Sequence, residues 1–257
     1  MDNVDKKIIF YLIKNARTPM KEISERIGIS AQVLNYRVAR LQESGVIRKF
    51  SIHVNPQIMG LISGFAAFRN SNYESKHVVS KFKCLEEITI YEFNGKDRDQ
   101  ILEFISDATQ KLGEPFMRYI PETRDLRMSI GKFDLDVIRI LKENPRMPVQ
   151  AIAERMDTKP AIVRKRLNMM EKNKVITAVA EIDLTKTDST ILSIISSSIE
   201  NLFPYFRDNI IFYISDKGNG IIIGYSDDLK KARNTIEKLK ETDPSSQVMV
   251  VYEYEFN

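Results

Sequence analysis

Shifted by 129 positions, the chain aligns with itself without a gap. Asp5 to Ile47, "DKKIIFYLIKNARTPMKEISERIGISAQVLNYRVARLQESGVI", lies over Asp134 to Ile176, "DLDVIRILKENPRMPVQAIAERMDTKPAIVRKRLNMMEKNKVI", and twelve of the 43 pairs are identical. A period this long marks a duplicated domain, because solenoid repeats run about 20–50 residues. Whatever the chain folds into must therefore contain one unit twice. Among the identities are Asp5 with Asp134, Asn15 with Asn144, Arg17 with Arg146, Pro19 with Pro148, Ile23 with Ile152, Glu25 with Glu154, Arg26 with Arg155 and Arg37 with Arg166. Apolar type persists where identity fails, as at Leu34 and Val163, Val38 and Leu167, and Leu41 and Met170.

Local signals divide each copy into three helices. In the first, an acidic cap precedes Ile8, Ile9, Leu12 and Ile13 on one face, and "NARTP" ends the helix, Pro19 opening the next. A short second helix, Met20 to Ile27, is followed by a turn at Gly28, and Ser30 caps a third helix that closes at Ser44-Gly45. A short helix, a tight turn and a longer helix make the helix-turn-helix pattern, with strand-like "VIRKFSIHV" following as a wing.

Charge follows the same division. Residues 1–50 carry a net +5 and residues 132–180 another +5, whereas 51–131 carry −1 and 181–257 carry −5. Two basic blocks in an otherwise neutral to acidic chain point to a polyanion partner for those blocks. Three-helix units also serve as protein-docking modules, so a scaffold is the competing binding class; a scaffold would show no salt-dependent association with duplex DNA.

The segments between the copies alternate strands and helices. "GLISGFAAFR" reads as a strand, Tyr73 to Phe82 as a helix with Val78, Val79 and Phe82 inward, and "EITIYEF" with "DQILEFI" as strands about a turn at Asn94-Gly95. A short helix in "SDATQKLG" and a strand in "PFMRYI" complete a βαββαβ order. After the second copy come "STILSIISSSI", a helix over "NLFPYFRD", the hairpin "IIFYIS-DKGNG-IIIGYS", an amphipathic helix in "DDLKKARNTIEKLKE" and the strand "SQVMVVYEYEF". The predicted class is α+β: two winged helix-turn-helix domains, 1–50 and 130–180, alternating with two ferredoxin-like βαββαβ domains, 51–129 and 181–257.

The helix-turn-helix blocks resemble the Lrp/AsnC, or feast/famine, transcriptional regulators. The resemblance rests on the acid before helix one, "NAR" with its following Pro, "GIS" at the turn, then Arg37-Val38, Leu41 and "GVI". It implies a DNA-binding regulator, with helix three in the major groove and the αβ domains assembling and sensing a small effector such as an amino acid. Members usually carry one unit; this chain looks like two fused, which predicts an intrachain pseudo-dimer able to associate further. The expected DNA-facing residues are Ser30, Gln32, Asn35, Tyr36, Arg37 and Arg40 in the first copy, and Lys159, Arg164, Lys165, Arg166 and Asn168 in the second. Gln32, Asn35 and Tyr36 reach base edges or phosphates and Arg40 lies nearer the backbone. Arg37 is expected to be structural first, tying down helix two or touching phosphate. Gly95 falls where the family has a Gly-containing turn tied to ligand response, although Asp97 and Asp99 straddle the spacing of its Gly-x-x-Asp pattern.

Catalytic constellations are not legible. His53 and His77 fall in a predicted strand and helix with no metal or triad spacing, "DKGNG" reads as a hairpin turn, and the lone Cys84 reads as a small core residue. The competing enzyme class is a tetrapyrrole (sirohaem-type) decarboxylase, which uses the same architecture. No cofactor or metal is expected. No apolar run approaches the roughly 18 residues of a membrane span, and the opening "MDNVDKKIIF" has no cleavable apolar segment, so a cytoplasmic chain is expected.

Overall fold

The computed structural model describes residues 1–69, 73–122 and 128–256; in "PETRDLRMSIGKF", 121–133, the stretch where the first predicted unit gives way to the second, 123–127 lie outside the described residues. The first unit opens with a head of three helices, α1 (Asn3–Lys14), α2 (Met20–Ile27) and α3 (Ala31–Glu43). β1 (Ile47–Val54), β2 (Ile62–Arg69), β3 (Val78–Cys84), β4 (Ile88–Gly95), α4 (Arg98–Leu112) and β5 (Met117–Tyr119) follow. The second unit repeats the head as α5 (Lys132–Glu143), α6 (Val149–Arg155) and α7 (Pro160–Lys172), then β6 (Ile176–Ile182) and β7 (Thr190–Ser196). It ends with the single turn α8 (Phe203–Phe206), β8 (Ile210–Asp216), β9 (Asn219–Ser226), α9 (Leu229–Thr242) and β10 (Gln247–Phe256).

Both heads close on matching apolar sets. Ile8, Ile9, Leu12, Ile23, Leu34, Val38 and Leu41 are buried in the first, and their counterparts Val137, Ile138, Leu141, Ile152, Val163, Leu167 and Met170 in the second. The three- and four-residue spacings that put these side chains on one helix face account for the repeat pattern.

The strand after each head takes its ladder partner from the other unit. β1 and β6 pair with each other, antiparallel, as a separate two-stranded ladder. Phe50 faces Ala180, the counterpart of Ser51, and Ser51 faces Val179, the counterpart of Phe50. The pairing is thus self-complementary about a point between residues 50 and 51, as an isologous dimer contact would be. The expected boundaries at 50/51 and 180/181 fall inside these strands, which are the joint between heads and sheet.

The remaining strands form one eight-stranded sheet in the order β5-β2-β4-β3-β10-β7-β9-β8. Numbered within each unit, both halves read 4-1-3-2, the order of a ferredoxin-like sheet. They join because β10 pairs with β7 through Gln247 to Val251 and with β3 through Val251 to Phe256. At the opposite corner, the chain beyond β5 reaches the β8–β9 turn: the Tyr119 hydroxyl donates to the Asn219 carbonyl at 3.2 Å, the Glu122 amide donates to Asp216 Oδ2 at 3.1 Å, and Lys217 pairs with Glu122. Each unit's fourth strand therefore reaches the other unit. Alternation along the strands feeds two cores. In β2, Ala66 and Phe68 join the cluster under α4, whereas Phe65 and Ala67 join a continuous cluster with Ile191, Ile221, Ile223 and Tyr225 of the second unit and with the first head.

Two expected elements differ. Val78 to Phe82 is strand, not helix: two adjacent β-branched residues lie between partner strands β4 and β10, and Tyr73 to His77 forms no helix, so the described part of the first αβ unit has no helix between β2 and β3. "DQILEFI" is the start of α4, not a hairpin strand: Ile101, Phe104, Ile105 and Ala108 fall on one buried helical face. The hairpin turn lies one strand earlier, at Leu85 to Glu87, with Glu87 at φ +59°. "SDATQKLG" is the C-terminal part of the same helix α4.

Candidate nucleic-acid interface

The third helix of each head buries one face and leaves the other open. In α3, Leu34, Val38 and Leu41 point inward, and Gln32, Asn35, Tyr36 and Arg40 are exposed. Tyr36 is 63% exposed, and the Arg40 guanidinium lies over its ring at 5.9 Å, a cation–π pair that presents both groups on one side of the helix. In α7, Val163, Leu167 and Met170 point inward, and Arg164, Lys165, Asn168 and Lys172 are exposed.

Arg37 and Arg166 sit elsewhere. Arg37 Nη1 reaches Asp2 Oδ2 at 2.6 Å and Asp5 Oδ1 at 2.8 Å, so it ties helix three to the start of helix one, not to helix two. Arg166 grips the counterpart Asp134 with two parallel bonds, Nε to Oδ1 at 2.6 Å and Nη2 to Oδ2, and also donates to the Ser129 carbonyl at 3.2 Å. The repeated Asp and Arg identities thus form one strut made twice. The Asp134 carboxylate is buried, which pushes its pKa up, and the Arg166 bonds override this to hold it below the usual carboxylate range.

The cap residues differ between the heads. Ser30 Oγ accepts from the Val33 amide at 3.2 Å, whereas Lys159 makes no side-chain cap bond and Pro160 starts the helix. Gly28 turns at φ +84°; its counterpart Asp157 takes φ +47° with a side chain in place.

A head-to-head contact was not foreseen from the sequence. Arg17 Nη1 crosses to the second head and donates to the carbonyls of Pro145 at 2.9 Å and Met147 at 3.0 Å, with Nε 3.5 Å from Glu171. Its counterpart Arg146 covers Phe50 at 4.7 Å. Asn15 and Asn144 each accept from the amide two residues on, at 2.9 and 3.2 Å, which shapes the loop that carries these arginines. The signal was their identity across the repeat, with no local pattern to give it meaning. The match is incomplete, because Ala16 donates to the Ala178 carbonyl at 2.8 Å and its counterpart is Pro145, which has no N–H to give.

Gly95 and Asp97 are engaged in architecture. Asp97 caps α4, Oδ1 accepting from the Gln100 amide at 2.8 Å, and a Cβ on Gly95 would sit 3.1 Å from Ile101 Cδ1. The two histidines stand apart. His53, on β1, lies 3.8 Å from the buried Glu92 carboxylate, which also accepts from Ser63 at 2.8 Å and Ser80 at 2.7 Å. His77 lies in the turn before β3, stacked on Phe104 at 3.8 Å. Cys84 is a core residue whose thiol burial pushes up to about 12. Among the described residues no three His, Cys, Asp or Glu converge as a metal site, and no helix is long and apolar enough to cross a membrane.

A model of winged helix-turn-helix DNA-binding domains matches residues 1–48 and 131–177, which are the two heads. The HTH-type transcriptional regulator FL11 of Pyrococcus furiosus is 31% identical over 152 residues, covering 58% of this chain and 97% of that protein. The HTH-type transcriptional regulator LrpA of Pyrococcus horikoshii is 33% identical over 92 residues, 34% of this chain and 65% of its own. Among solved structures, the siroheme decarboxylase NirDL matches 98% of this chain and 92% of its own at TM-score 0.51 and 11% identity, a likeness of fold alone.

Proposed function

This chain belongs to the Lrp/AsnC family of DNA-binding transcriptional regulators, and from that premise we propose that one molecule is a complete two-headed reader with unequal heads. The observation that carries the proposal is the self-complementary β1–β6 ladder, in which the strands leaving the two heads pair about a local two-fold within one chain. Two heads so related suit two half-sites on one duplex, the arrangement that dimeric helix-turn-helix proteins use. Fusion raises the local concentration of the second head to roughly millimolar, so intrachain pairing outcompetes pairing between chains at low concentration.

The faces of α3 and α7 suit different bases. Gln32 and Asn35 can each bond adenine through two atoms, whereas Arg164 and Lys165 suit guanine or phosphate. Arg37 and Arg166 act by holding helix three at its angle, and Ser30 and Lys159 by setting its start. The operator is therefore two dissimilar half-sites, not a palindrome. A small effector is the remaining part of the family reading. With Gly95 and Asp97 built into the α4 cap and its packing, effector binding is assigned to neither.

The experiment is a binding titration on duplexes selected from a random pool, at several salt concentrations, with Asn35→Ala and Lys165→Ala compared. Binding falls steeply with salt as two basic heads displace condensed counterions. Asn35→Ala relaxes one or two positions by about 1–3 kcal/mol, while Lys165→Ala weakens all sequences alike and flattens the salt slope. A flat salt dependence, or a palindromic best site with identical profiles for the two variants, overturns it.

The fold likeness to NirDL favours one other reading, tetrapyrrole decarboxylation. His53 is held on Glu92 and His77 on Phe104, so the two imidazoles do not converge on one site. Sirohaem added to the purified chain should leave the pigment's visible spectrum unchanged; a bound spectrum would reinstate the enzyme.

A further inference from the structure

The two reader faces have diverged at almost every exposed position. Gln32 stands against Ala161, Asn35 against Arg164, Tyr36 against Lys165, Ala39 against Asn168 and the exposed Arg40 against the half-buried Met169. One exposed position keeps its chemistry. Val33 and its counterpart Ile162 are both β-branched hydrocarbons, 42% and 47% exposed, in helices whose other aliphatic β-branched residues are buried. Single exposed apolar residues are common. The same one, kept twice across a face that otherwise changed, asks for a cause.

Neither helix stability nor the core supplies one. β-Branched side chains lose rotamer freedom in a helix and are inferior there to Ala, Gln or Lys. Both residues occupy the third helical position, after Ala31-Gln32 and Pro160-Ala161, in the first turn that a reader helix presents to a groove. The backbone there is fixed in both heads: the Val33 amide donates to Ser30 Oγ at 3.2 Å and the Ile162 amide to the Lys159 carbonyl at 2.9 Å. A branched side chain on a fixed backbone holds its methyl groups in one place.

On the base edges of the major groove the apolar feature is the C5 methyl of thymine. We propose that Val33 and Ile162 each read a thymine methyl, so that the two otherwise unequal half-sites share a thymine at equivalent positions. This rests on the DNA-reading role of α3 and α7 and adds a base that both heads recognise.

Deoxyuridine lacks only that methyl, which makes the test direct. With the full-length chain and a duplex selected from a random pool, each protected thymine is replaced in turn by deoxyuridine. One replacement in each half-site should weaken binding about fourfold, the worth of one methyl removed from water. Val33→Ala should abolish the discrimination at one position and Ile162→Ala at the other, with the salt slope unchanged, and Ile162→Val should retain it. Steep salt-dependent binding with no thymine-to-deoxyuridine effect, or an effect that persists in both alanine variants, overturns the inference and leaves the DNA-reading role standing. Absence of salt-dependent binding removes that role and the inference with it.

Discussion

The two heads share a skeleton and differ in what is mounted on it. Seven apolar core positions match one for one, although Ile13 is buried where Lys142 is exposed, and the Asp–Arg strut recurs, with the first strut partly exposed and the second sunk. Asp5 is 23% exposed on its side chain and Asp134 2%. The first head has the better helix start, with Ser30 and Gly28 where the second has Lys159 and Asp157. Duplication preserved what a head needs in order to fold and released what it needs in order to read, since no symmetry between chains forces both faces to be the same.

The largest effect should come from cutting the strut. Arg166→Ala leaves the Asp134 carboxylate buried without its partner and should cost the second head about 3 kcal/mol, whereas Arg37→Ala, between more exposed groups, should cost about 1 kcal/mol. Hydrogen exchange resolved by head measures both, and equal losses would break the comparison. Next is repair of the second head. Lys159→Ser and Asp157→Gly, which restore the first head's cap and turn, should each stabilise it by about 1 kcal/mol, raising its protection toward that of the first.

The smallest effect concerns how each strand of the ladder is held to the sheet. β6 is held by the buried Tyr254 hydroxyl, which donates to the Ala180 carbonyl at 2.6 Å and accepts from the Ile182 amide at 3.2 Å. β1 is held by the His53–Glu92 pair and by Arg48, which donates to Glu253 at 2.7 Å and to the Tyr254 carbonyl at 2.6 Å; of these only His53 titrates near neutrality. Burial alone would lower the His53 pKa, but the Glu92 carboxylate overrides it and leaves the pKa raised; Glu92, against its own burial, is held low by His53 and two serines. A raised histidine contributes stability below its unfolded value of about 6.5 and loses it as pH climbs through the folded value. A lowered carboxylate contributes above about 4.3 and loses it on acidification. The pair therefore holds best between roughly pH 4.5 and 6.5. His53→Gln should flatten the decline in stability from pH 6 to 8, as read by denaturant midpoints; an unchanged pH profile would break the distinction between the two tethers.

The heads were legible because their signals are local: caps, turns and helical spacing fall within single copies, and exposure of Gln32, Asn35, Tyr36, Arg164 and Lys165 follows from where Leu34 and Val163 must point. β3 is ambiguous in the sequence because Val78, Val79 and Phe82 fit a helical spacing as well as a strand. What decides is β10, about 170 residues away, which offers a ladder partner. The start of α4 is masked in the sequence because Asn94-Gly95 imitates a hairpin two residues before the Asp97 cap. The β1–β6 ladder and the Arg17 crossing could not be read locally at all, since each is a relation between copies.

That ladder also sets a timetable. β1 leaves the ribosome with no partner in its own unit, and its ladder is complete only when Ile182 has followed. At about 5–20 residues per second the interval of about 130 residues lasts roughly 6–25 s. During it an unpaired strand of Ile, Phe and Val is exposed to other nascent chains. Its Arg48-Lys49 pair places charge along that edge, which makes the waiting strand a poor template for anything but the partner being synthesised behind it.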